Sequence, residues 1–112
     1  MSGETTTFAL RFDNVSVAEA NRLAKELESE IRAAYDGAKA SVAKDDKTTQ
    51  DFGATVIVVL GTPAIVAVAK AIADYIQRRG VAVNITPEGG VTINNVKSAD
   101  VANIVKNLHK NR

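Results

Sequence analysis

At 112 residues the chain has room for one domain with a core but not for two, and 14 basic against 13 acidic side chains leave a net charge of +1. So even a balance offers no electrostatic case for nucleic acid and little for an anionic membrane surface. With no cysteine there is no disulfide, thiolate nucleophile or zinc-thiolate site, and a cytoplasmic setting is the expectation, with a membrane-proximal one as its alternative.

The first residues, Met1 to Thr7, lack a basic stretch followed by an apolar run, so no secretory signal is expected, and residues 1–5 read as a disordered N-terminus. From Thr6 to Phe12, Phe8, Leu10 and Phe12 alternate with Thr7 and Arg11, the pattern of a half-buried strand. Ser16 followed by Glu19 forms a capping box and opens a helix. Its apolar stripe is Ala20, Leu23, Ala24, Leu27, Ile31 and Ala34, and Gly37 is expected to close it in the left-handed conformation.

Ala38 to Lys44 alternates weakly around Ala40 and Val42 and reads as a short second strand parallel to the first. Residues 45–50 are polar without periodicity and read as an exposed loop.

From Gly53 to Ala69 no side chain is ionisable. Water does not cover such a segment, so the domain's own core, another subunit or a membrane must. Two backbones fit it. Five consecutive β-branched residues, Thr55 to Val59, suit a buried strand 54–60 followed by a turn and a helix 63–79, with Thr62 as N-cap and Pro63 in the first turn. The smooth join to the amphipathic run Ile65, Val68, Ala69, Ile72 and Ile76 suits instead one long apolar helix kinked at Pro63, and this is the preferred reading. A small domain cannot surround such a helix, so Val56, Ile57, Val59, Leu60 and Pro63 become interface candidates. Placing a glutamate at Val59 would then dissociate an oligomer if the segment is helix, and unfold the monomer if it is strand.

Arg78, Arg79 and Gly80 close the central helix. Val81, Val83 and Ile85, then Val91 and Ile93, alternate on either side of Pro87-Glu88-Gly89-Gly90 and predict a hairpin. Its inner face is expected to hold Val83, Ile85, Val91 and Ile93 beside Phe8 and Leu10, with Leu27 beneath. Ser98 caps a last helix whose stripe is Val101, Ile104, Val105 and Leu108. The expected fold is α+β, ordered β-α-β-α-β-β-α, a small mixed sheet with helices on one face.

No residue pattern carries chemistry. His109, the only histidine, suits a helix end, and Asp45-Asp46 lacks the spaced oxygen ligands and glycine of a calcium loop. Asp51-Phe52-Gly53 matches a kinase tripeptide without the motifs that accompany it. Gly61-Thr62-Pro63 has no following lysine for an anion, and its proline removes a donor. No catalytic, metal or cofactor-binding residue is therefore assigned. Five aromatic residues without tryptophan give no base-stacking platform.

The run Asp51-Phe52-Gly53-Ala54-Thr55, then Leu60-Gly61-Thr62-Pro63, Ala71-Ile72-Ala73-Asp74-Tyr75 and Arg78-Arg79, resembles the effector-associated constant component family of bacterial conflict systems. So do the hairpin at Glu88-Gly89-Gly90 and the Lys97-Ser98-Ala99-Asp100 helix entry, and the likeness runs from Thr6 to Leu108. The resemblance implies a non-enzymatic adaptor or assembly component that couples recognition of an invader to a variable effector, peptidase-like or other. Its implied partners are that effector or a scaffold protein of the same system. A homo-oligomer without nucleic acid is expected. The competing readings are a membrane-associated component using segment 53–69 and a small-molecule sensor.

Overall fold

The structure, a computed structural model, describes residues 5–43 and 54–110, and of residues 109 and 110 the backbone alone. Strand β1 (Thr5–Asp13) leads into helix α1 (Val17–Ala34), strand β2 (Lys39–Ala43) and strand β3 (Thr55–Gly61). A 3-10 turn at Thr62–Ala64 delivers helix α2 (Ile65–Arg79), followed by strands β4 (Ala82–Pro87) and β5 (Ile93–Val96) and helix α3 (Ser98–Lys110). The fold is α+β, as its sequence pattern indicates.

The apolar segment is a strand, not the first half of a kinked helix. Its β-branched side chains crowd a helical backbone but fit a pleated one. Pro63 falls after the strand, in the first turn of the short helix, where its ring preset and its missing N–H cost nothing. Gly61, with extended backbone, occupies the cap position assigned to Thr62, and α2 begins at Ile65.

The strand order is β2-β3-β1-β4-β5, and every adjacent pair is antiparallel. The sheet is therefore not mixed. β2 does run in the direction of β1, but β3 lies between them, bonded to both. Each of the two connections β1-α1-β2 and β3-α2-β4 steps over one strand of the other, the interleaved plan of ferredoxin-like folds, with β5 and α3 added.

Alternation then divides every strand. Phe8, Leu10, Phe12, Ala40, Val56, Val58, Leu60, Val83 and Ile85 point to the helix-covered face and are buried. Against them α1 packs Ala20, Leu23, Leu27 and Ile31, α2 packs Val68, Ile72 and Ile76, and α3 packs Val101 and Val105. Leu27 is wholly buried, where its stripe put it.

Local signals hold with three amendments. Ser16 Oγ accepts the N–H of Glu19 at 3.1 Å, but the Glu19 carboxylate closes on Arg22 at 2.6 Å, so the capping box is made in one direction only. The chain leaves α1 through extended Tyr35 and turns over Asp36 and Gly37, the Ala38 N–H donating to the Tyr35 carbonyl. Gly80 is the glycine that takes the left-handed cap, at φ +68°. In the hairpin, Ile85 pairs with Ile93 but Val83 with Val96, so β5 carries one extra residue, and Asn95 sits at φ +58°. That bulge turns Val96 into the core. Val91 lies in the turn before β5 and is 85% exposed, and Ile93, paired with Ile85 on the edge strand, is 37% exposed, against the expectation that both line the inner face.

Neighbouring residues of β3 should respond oppositely to charge. Val58→Glu buries an unpaired carboxylate at a fully buried site, a cost of several kcal/mol against the roughly 5–15 kcal/mol that holds a domain together. Val59 lies half-buried on the other face, so Val59→Glu should keep the monomer folded, contrary to the expectation for a strand buried on both sides. Circular dichroism of the two variants checks this, and an unfolded Val59→Glu would mean that the strand's faces are reversed.

Candidate functional site

The face of the sheet away from the helices is built by the alternate residues of the same strands. Reading across it, Lys39, Val59 and Thr7 share one row, and the Glu88 N–H continues that row by donating to the Thr7 carbonyl at 3.1 Å. Ser41, Ile57, Ala9 and Thr86 form the next, and Ala43, Thr55, Arg11 and Asn84 lie nearby. Val59 and Thr7 of the first row and all four residues of the second are hydroxyl-bearing or aliphatic, and Arg11 brings a charge two residues beyond Ala9. Thr7, Ala9, Thr55, Ile57, Val59 and Thr86 are each half-buried.

The five residues singled out in the sequence are divided by this geometry. Val56 and Leu60 are fully buried under the helices. Ile57 and Val59 stand together on the open face, two residues apart on β3. Pro63 is exposed in the 3-10 turn, at the end of the strand. Asp45, Asp46, Asp51 and Phe52 lie outside the described residues, as do residues 1–4 and the loop 45–50, whereas Thr5 pairs with Gly61. His109 falls in the last turn of α3, its side chain outside the described part.

A second region, missed in the sequence, is an open groove of about 480 Å³ between α1 and α2, lined by Glu26, Ser29, Glu30, Tyr75, Arg78 and Arg79. Tyr75 is 1% exposed, packed edge-on against Phe12 with ring centroids 6.4 Å apart. Its hydroxyl donates to Glu26 Oε1 at 2.6 Å, and Arg79 donates to the same oxygen at 2.6 Å. The guanidinium carbons of Arg78 and Arg79 stand 5.6 and 5.8 Å from the centre of the Tyr75 ring. Burial, then the Glu26 carboxylate, push the Tyr75 hydroxyl up, so it remains a donor at any physiological pH. The hydrogen bond from Tyr75, helped by Arg79 and Arg22, holds the Glu26 carboxyl below its ordinary range. The signal for Tyr75 was present, since it lies three residues beyond Ile72 on the buried stripe, but its partners on α1 are about fifty residues away.

This cluster is paired throughout: Arg22 meets Glu19 and Glu26, and Arg78 meets Glu30 at 3.5 Å. Each cation has an acid, so the arrangement clamps α1 to α2 and offers no free charge to a substrate. Among the described residues no group of three histidine, cysteine, aspartate or glutamate side chains could hold a metal ion. Among them, too, no helix is long and apolar enough to cross a membrane. No family model matches the chain, and no curated protein or solved structure does either.

Because the Glu26 carboxyl is depressed in the folded state, its contribution to stability is complete above the ordinary glutamate value near 4.5 and is lost as pH falls through the lower folded value. Glu26→Gln should therefore flatten the acid side of the stability profile and lower stability at neutral pH. Urea midpoints between pH 7 and pH 3 measure it. An acid limb as steep as that of the wild type would show that Glu26 is not coupled to folding.

Proposed function

We propose that this chain is a non-enzymatic adaptor or assembly component of a bacterial conflict system, acting through protein–protein contacts. The observation that carries this reading is the open sheet face. A sheet face turned to water ordinarily carries polar and charged side chains, and here Val59 with Thr7 and Ile57 with Ala9 form two adjacent pairs without charge on β3 and β1, bounded by Lys39 and Arg11. Such a surface suits a protein partner better than water or a polyanion. The resemblance in sequence supplies the setting, a small constant component beside a variable effector, peptidase-like or of another type, or beside a scaffold protein. The paired acids and bases between α1 and α2 support a structural use of the polar groups there in place of catalysis.

The test is co-expression with the protein encoded next to this chain, followed by sedimentation of the mixture and of each component alone. A complex of defined stoichiometry that alters the effector's activity is expected. Two species that sediment independently, with an effector whose activity is indifferent to this chain, would overturn the reading.

A further inference from the structure

We propose that the open sheet face is the contact between two copies of this chain, packed face to face about a two-fold axis that runs along the strands between β1 and β3. The proposal rests on the assembly reading above and names the first partner of that surface. An isologous contact requires a patch that complements itself. Ile57 and Ala9 are direct cross-strand neighbours, one on each side of the proposed axis. Rotation about it lays Ile57 of each copy over Ala9 of the other, a large side chain on a small one, twice.

The same rotation lays the β2 side of one sheet over the β4 side of its mate. Lys39 begins the row that runs through Val59 and Thr7, and Glu88 ends it, held there by its N–H bond to Thr7. These two charges are the opposite corners of one row, so the axis brings each Lys39 to the Glu88 of the other copy. An axis across the strands would stack β1 on β1 and pair neither charge. Arg11, two residues beyond Ala9 on β1, stands beside the axis and faces Thr55 of the other copy, so the orientation is selected by the oppositely charged ends of the Lys39 row.

The area is that of a weak dimer. The axis superposes β2, β3, β1 and β4, which at about 3.3 Å per residue and about 4.8 Å between strands give a face of roughly 430 Å² per copy. Twice that is roughly 900 Å², the size of a weak, reversible contact.

Sedimentation velocity of the full chain over a range of concentrations should show a species near twice the 11.8 kDa chain mass. Glu88→Lys sets two lysines against each other and should raise the dissociation constant at least about tenfold, whereas adding Lys39→Glu to it should restore the dimer. Ile57→Lys should give a monomer with native circular dichroism. Should that variant fail to fold, the exposed Glu88 and Lys39 pair still decides. A wild type that is monomeric at every concentration overturns the proposal, and so does a dimer that ignores both Glu88→Lys and the charge exchange. A monomer that binds the neighbouring-encoded protein through Ile57 would overturn self-association and leave the adaptor reading standing. A dimer with the expected charge reversal but no effector complex would do the opposite.

Discussion

The position of β3 between β1 and β2 is the constraint on which the rest of the molecule depends. Because β3 bonds to both, the crossover from β1 to β2 must pass over it, and the crossover from β3 to β4 must pass over β1. Connections of this kind take one hand, so α1 and α2 land on the same side of the sheet. The α3 helix, packed along α2, completes that layer. The side chains of β3 then have two fates set by parity alone. Val56, Val58 and Leu60 fill the core, while Thr55, Ile57 and Val59 are turned to a face that no described element covers.

Polar groups fix this arrangement at places where apolar packing alone would allow sliding. The Asn21 amide oxygen on α1 accepts the N–H of Ala54 at 2.9 Å, tying the entry of β3 to the helix above it. Tyr75 does the same between the helices. Its ring is core and its hydroxyl must find an acceptor, and Glu26 stands at the one edge where that acceptor remains accessible to Arg79. The remaining ion pairs lie at the surface, Arg78 with Glu30 between the helices and the others at helical spacing, such as Lys70 with Asp74, and contribute little individually.

Features written in consecutive residues were legible in the sequence. The Ser16 cap, the stripe through Leu23 and Leu27, the Gly80 terminus and the alternation of β1 each depend on neighbours within four positions. The choice at 54–60 did not. An uncharged β-branched run satisfies the apolar demand of helix or strand, and what decides it is pairing with Phe8 on one side and Ala40 on the other, roughly fifty and twenty residues distant. The far arm of the hairpin failed for a related reason: Val91 falls before β5 begins, and the residue inserted between Ile93 and Val96 decides which later position turns inward. Of the candidate site, Ile57 and Val59 were named because a helix would have exposed them. They stand on an open surface because a strand alternates.

The two exposed sides of this sheet are treated differently, and that contrast bears on function. At the β5 edge the chain is short, bulged at Asn95 and polar, with the Asn95 N–H bonded to the Asn84 side chain at 2.9 Å. These are devices that discourage another strand from adding there. The open face carries no comparable protection. Its centre could have held lysine or glutamate without disturbing the core, because alternation separates its side chains from Val56, Val58 and Leu60. An isoleucine, a valine, an alanine and threonines stand there in their place. β-Branched residues on a half-buried strand face favour the pleated backbone and its cross-strand pairs, so Thr55, Ile57 and Val59 also serve the sheet itself. A surface designed to remain wet would resemble the outer sides of α1 and α2, where charges alternate and pair. The open face differs from those sides: Ala9, Ile57 and Val59 stand there among threonines, with Lys39, Arg11 and Glu88 around them.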